Sequence, residues 1–437
     1  MPRPILPPFT PRTGLWDSSE LIREELFAVE RLKQHAESLA AAQPIASRKK
    51  GGRELADRLR NSERFLLESY RAIAASVEAG HPITPAAEWI LDNYHIVEEQ
   101  ISEARGDLPP GYYRELPKLT AGPFTGLPRV FGVAWAYIAH TDSRFDGDLL
   151  CEFVGAYQRV QPLTIGELWA VPITLRIILV ENLRRAAGRI TRSHKVRQEA
   201  DEFADRILGL GSAPPEPIGQ VLANYPTPYL RTFIVQLAHR LRDPTPAVAP
   251  AVQWLEQQVA MTEGASVDTA VQAEHRVQAE MNVTVRNIIT SMREISAIEW
   301  PEIFERISLV DAALRATPGY AAMDFPTRDA YRKRIERVSR HSRSTELEVT
   351  QRAIALGTAA AERGEETRRR DPGFYLLTTE GVAALERAVG YRPTIADLGP
   401  PHGAPAWRRR LHCAVRAGRR RSSSVRSSPC CRTSSVV

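Results

Sequence analysis

Cysteine is almost missing from the body of this 437-residue chain: only Cys151 precedes the C-terminal stretch that carries Cys413, Cys430 and Cys431. A single body thiol excludes a disulfide framework there and points to a reducing compartment. Aromatic residues are sparse at 7%, while Ala, Leu, Glu and Arg are plentiful, a balance that favours helix over sheet. No apolar run reaches the roughly 20 residues that a membrane-spanning helix needs. The nearest, Leu168 to Leu183, contains Pro172, Arg176 and Glu181 and reads as a buried helix. The N-terminus, MPRPILPPFTPRTG, is broken by prolines and lacks the apolar core of a signal peptide. Together these absences predict a cytoplasmic chain without a transmembrane helix. The glycine loops GxGxxG and GxxxxGK[ST] are absent, as are CxxC, HExxH and GxSxG, so no motif for phosphate cradling, zinc binding or a nucleophilic serine is present. No fixed repeat period exists, which removes a solenoid.

Acidic residues are missing from residues 398–437, which hold nine arginines. The whole chain sums to +6, so the remainder stands at −3. A mildly acidic body argues against nucleic acid as its partner.

What is present is helical punctuation. Asp17 and Glu20 form a capping box before an apolar stripe of Ile22, Leu26 and Val29. Thr84-Pro85 opens a helix in which Ile90, Tyr94, Val97 and Ile101 share a face. Thr164 and Glu167 form another capping box. Further helices are predicted near 192–210, 228–242, 246–262, 267–299, 326–341 and 345–364. In the longest, Met281, Val285, Ile288, Met292 and Ile295 recur at four and three, the spacing of a packed seam. Only Phe374 to Leu377 reads as a short strand. The fold class is therefore all-α, a multi-helix array of packed antiparallel helical hairpins. Residues 1–15 form a disordered extension and 16–396 the helical region, with a sub-boundary near 212–217. Residues 397–437 form a Pro/Arg/Ser-rich disordered tail whose composition suits a frameshifted reading.

Three polar constellations are candidates for chemistry. Asp92, His95 and Glu99 lie three and four apart and could bind a metal or a sugar; a solvated polar face explains them more simply. His140, Asp142, Asp146 and Asp148 crowd one connector and could hold a divalent cation, or the aspartates could cap the next helix. In MDFPTRDAYR, Thr327 can cap a helix with Asp329 in its first turn. Arg328 and Arg332 there could grip an anion or form a buried ion pair.

The stretches ITPAAEWILDNYHIVEEQI, LPRVFGVAWAYIAHTDSRFD, YQRVQPLTIGELWAVPITLRIILVENLRR, NIITSMREISAIEW, YAAMDFPTRDAYR and GFYLLTTEGVAALERAVGYRP resemble the N-terminal region of cyclic β-1,2-glucan synthases. The resemblance runs from about Leu15 to Trp407. It implies a large inner-membrane parent in which a helical N-terminal region precedes membrane spans, a glycosyltransferase domain and phosphorylase-like domains. UDP-glucose and a divalent cation would belong to those other domains, so no catalytic residue, metal site or cofactor is expected in this chain. Its partners would be the missing glycosyltransferase and membrane domains, met at the cytoplasmic face of the inner membrane. The resulting expectation is a truncated scaffold or regulatory region, inactive alone. The alternative from the residues themselves is a free-standing helical adaptor or metal-dependent carbohydrate-active protein.

Overall fold

In a computed structural model, residues 18–46, 54–106, 112–210, 231–242, 249–263 and 266–392 are described. The helices in chain order are α1 (Val29–Ala42), α2 (Glu54–Glu78), α3 (Pro85–Asp92), α4 (Tyr94–Gly106), α5 (Tyr112–Glu115), α6 (Arg129–His140), α7 (Gly147–Val160) and α8 (Ile165–Leu208). They continue with α9 (Arg231–Arg240), α10 (Ala249–Glu263), α11 (Val267–Ala297), α12 (Trp300–Ile307), α13 (Leu309–Arg315) and α14 (Phe325–Arg340). The last are α15 (Glu346–Glu362), α16 (Thr367–Arg370), α17 (Pro372–Leu377) and α18 (Thr379–Val389). The array is all-α apart from one antiparallel pair, β1 (Ile45–Ala46) and β2 (Lys118–Leu119), in which Ile45 faces Leu119. The tail expected at 397–437, the extension at 1–15 and the sub-boundary at 212–217 lie outside the described residues.

The organising element is α8. The Thr164 hydroxyl accepts from Glu167 N–H while the Glu167 carboxylate accepts from Thr164 N–H, the capping box read from the sequence. Its 44 residues span about 66 Å and end at Gly209, whose φ of 67° supplies the left-handed cap. From Ile165 to Ile190 it sits in the main apolar cluster, against α2, α6 and the seam of α11. Met281, Val285, Ile288, Met292 and Ile295 are all buried there, so the seam is core. Beyond Ile190, α8 enters a second, smaller cluster with Phe203, Phe233, Leu237, Leu255 and Val259. Among the described residues no helix is long and apolar enough to cross a membrane.

Three local expectations are corrected. The first helix starts at Val29, and Ile22 to Ala28 is non-helical. Its backbone is taken by tertiary partners: Ile22 N–H donates to Asn182 Oδ1 (2.7 Å) and Glu24 N–H to Ala139 O (2.9 Å). Of the supposed stripe only Ile22 is buried, while Leu26 is 54% exposed; Asp17 lies outside the described residues. Phe374 to Leu377 is helical, because Asp371 caps it by accepting from Gly373 N–H (2.6 Å) and Pro372 occupies the first turn. The helix after Met323 is capped by Asp324, which accepts from Thr327 N–H (3.1 Å), so Thr327 is inside the first turn.

Candidate functional site

The first constellation straddles a break. Helix α3 ends at Asp92, Asn93 turns the chain, and α4 begins at Tyr94. The apolar face survives this break, with Ile90, Tyr94, Val97 and Ile101 all buried. Asp92, His95 and Glu99 are left on the exposed side. Among the described residues no group of three His, Cys, Asp or Glu side chains is placed to hold a metal ion.

The second constellation disperses. His140 closes α6 with its ring stacked on Phe27 at 4.1 Å and its Nδ1 2.7 Å from Glu25 O. His35 packs edge-on against it at 4.4 Å, and burial followed by that neighbouring ring holds the His35 pKa down to about 4. Asp142 and Ser143 adopt left-handed φ values of 49° and 62°. The surrounding structure fixes this strained turn. Asp142 accepts from Thr284 Oγ (2.7 Å), its carbonyl accepts from Asn287 Nδ2 (3.0 Å), and Ser143 O accepts from Ser291 Oγ (2.8 Å). Burial raises the Asp142 pKa, with Thr284 and Arg23 opposing. Asp146 caps α7, accepting from Asp148 and Leu149 N–H at 3.0 Å each. Asp148 points outward to Arg306 at 2.8 Å. The connector is thus a joint that clamps α6 and α7 to α11.

The third constellation forms a buried ion network. Arg332 contacts Asp311 at 2.5 Å and Glu305 at 2.6 Å, and Tyr320 donates to the same Asp311 carboxylate at 2.8 Å. Arg328 lies 3.0 Å from Glu305, and Asp329 pairs with Lys333 at 2.5 Å. The Arg332 guanidinium also sits over Phe304 and Phe325, 5.1 and 4.9 Å from the ring centres. Burial disfavours its charge, but Asp311 more than offsets this and raises its pKa.

Two further networks were not singled out from sequence. Arg129 meets Glu167 at 2.5 Å with both side chains almost fully buried. Glu181 of α8 is gripped by Arg58, Arg184 and Arg185 at 2.8 to 3.0 Å. The capping box flagged Glu167, but its partner lies 38 residues away and no local pattern marks it.

Sequence reading also missed an open cleft of about 280 Å³ between α8, α9, α11 and the first turn of α3. Arg189, Arg192, Arg197 and Arg231 line it, with Ile190, Val196 and Met281 among the apolar wall residues. Its buried carboxylate, Glu274, accepts from Thr232 Oγ (3.2 Å) and Gln278 Nε2 (3.1 Å).

Comparison with known proteins decides the relationship. Over 392 residues, 89% of its length, the chain is 39% identical to a cyclic beta-(1,2)-glucan synthase, NdvB, of Rhizobium meliloti (strain 1021). It is a relative of the cyclic β-(1,2)-glucan synthases. The chain spans only 14% of that synthase, and no family model matches it. The resemblance carried by the six stretches is borne out. In this synthase relative, those stretches supply Arg129, Glu167, Glu181 and Arg332, which bind helices to one another.

Proposed function

We propose that this chain acts as a scaffold or regulatory region of a glucan-synthesising glycosyltransferase system, with the reaction machinery located on other domains. The observation that carries the reading is the use made of its charged residues. Arg129 with Glu167, Glu181 with Arg58, and Arg332 with Asp311 all tie separate helices together. Buried pairs of this kind favour one specific arrangement. The candidate aspartates of the 140–148 connector point in different directions, toward a helix cap, a threonine and a surface arginine. A rigid helical surface of this kind suits docking to the glycosyltransferase and membrane domains of a parent synthase, at the cytoplasmic face of its membrane. In this reading UDP-glucose and its divalent cation bind on the transferase domain.

Deleting the equivalent region from a full-length synthase relative tests the proposal. Loss of cyclic glucan output or of correct membrane insertion is expected; unchanged output and insertion would remove the scaffold role. Glucose transfer by the purified chain from UDP-glucose with Mg²⁺ or Mn²⁺, without added protein, would overturn it outright.

A further inference from the structure

Glu346 differs from the carboxylates that tie this fold together. It opens α15, next to the capping box that Thr345 forms with Glu348, and its Oε2 accepts from Ile165 N–H at 2.6 Å. That N–H belongs to the first turn of α8, whose N–H groups have no partner within the helix. Around this contact two guanidinium groups serve four carboxylates. Arg129 of α6 is bound to Glu167 at 2.5 Å. Arg340 of α14 is shared by Glu115 of α5 at 2.8 Å and Glu336 at 2.7 Å. Glu346 is left over: among the described residues it makes no ion pair. The other neighbours do not change this balance. Asp311 of α13 is held by Arg332, and Arg343 and Glu348, near Glu346 in the chain, are exposed. Farther along α15, Gly357 lies against the Arg370 backbone. A carboxyl without a cation in such a place favours its neutral form. Burial, seconded by the Glu167 charge, accordingly raises the Glu346 pKa, with Ile165 N–H and Arg340 opposing.

The element that Glu346 holds is also suited to loosen. Pro172, inside α8, has no N–H to give the Leu168 carbonyl, so the first turns of that helix are joined to the rest by one bond fewer. Apart from their own capping box, they are held by Glu346 at Ile165, by Arg129 at Glu167 and by Trp169 stacked on Phe304 at 4.4 Å. The arginine pair and the ring stack do not depend on a proton that exchanges near neutrality; the Glu346 contact does.

We propose that the contact between α15 and the start of α8 is a proton-sensitive latch, closed by neutral Glu346 and loosened when Glu346 gives its proton to water. The latch tightens as the pH falls toward 5 and is at its loosest above 7, because the closed form holds the proton more firmly than the open one. It does not rest on the scaffold reading and can exist whether or not that reading holds.

Hydrogen exchange of the full chain, followed by mass spectrometry at pH 5 and pH 8 and corrected for the intrinsic chemical rate, tests it. Protection of a peptide covering residues 163–171 should be on the order of tenfold greater at pH 5, while the seam of α11 changes little. Glu346→Gln keeps the shape and an oxygen acceptor but cannot ionise, so the pH step at 163–171 should vanish. Glu348→Gln, at the exposed cap of the same helix, should leave the step in place. Arg340→Gln removes the cation that opposes the proton and should move the midpoint of the step to higher pH. Equal protection at both pH values would overturn the proposal. So would a step that survives Glu346→Gln, or one of the same size in the α11 seam, which would report general loosening. If circular dichroism shows that Glu346→Gln has lost its helices, Arg340→Gln decides instead, and an unmoved midpoint there would count against the latch.

Discussion

Replacing Arg332 by methionine isolates one of the buried ion networks. The Asp311 side chain has no solvent exposure and Arg332 only 1%. The carboxylate would keep the Tyr320 hydroxyl at 2.8 Å but lose the guanidinium contacts at 2.5 and 3.0 Å. Removing one member of such a pair leaves an uncompensated buried charge, which costs about 3–5 kcal/mol. Methionine restores part of the apolar packing between Phe304 and Phe325, which places the expected loss near the low end, about 3 kcal/mol. Urea unfolding followed by circular dichroism measures it. Adding Asp311→Asn to Arg332→Met should recover most of the loss at neutral pH. A loss below about 1 kcal/mol, without rescue by the double variant, would refute the view that this network locks α14 to α13.

Glu346 makes a pH-dependent contribution. It accepts from Ile165 N–H at 2.6 Å, and burial, with Glu167 adding to it, pushes its carboxyl up to about 7. The folded chain therefore holds this proton more tightly than the unfolded chain, and stability should fall as pH rises from about 4.5 to 7. The change is about 2 kcal/mol after allowing for partial solvent contact, and Glu346→Gln should flatten that part of the profile in urea titrations. Thr284→Val deprives Asp142 of a 2.7 Å donor inside a strained turn and should cost about 1–2 kcal/mol by the same assay. At Gly381 an added Cβ would lie 2.1 Å from Phe374 O, so Gly381→Ala should destabilise by about 1–3 kcal/mol and loosen α17 against α18 in hydrogen exchange.

Legibility in the sequence tracked how local the governing contact is. The Thr164–Glu167 box, the α11 seam and the cap at Thr84 depend on residues within four positions or on helical spacing, and all three stand in the structure. The first helix failed because Ile22 and Glu24 give their N–H groups to Asn182 and Ala139, partners more than a hundred residues away. Phe374 to Leu377 looked strand-like from its apolar run, yet Asp371 and Pro372 just before it carry the stronger signal of a helix start. The candidate sites show the same division. Spacing correctly places Asp92, His95 and Glu99 on one side of the α3–α4 pair, but it cannot reveal that His140 turns to Phe27 or that Arg332 meets Asp311. The arginine cleft escaped notice because its wall is assembled from four elements, each of which looks alone like a solvated helix face.

The order in which the two apolar clusters occur along the chain has a consequence for synthesis. The main cluster draws on residues up to Ile190 and again from Met281 onward, with the smaller cluster inserted between them. A ribosome therefore releases the oily half of α8 about ninety residues before the α11 seam that covers it, a delay on the order of ten seconds. During that interval the face of α8 that α11 covers stays open, and the smaller cluster, complete by Ala270, has time to close first.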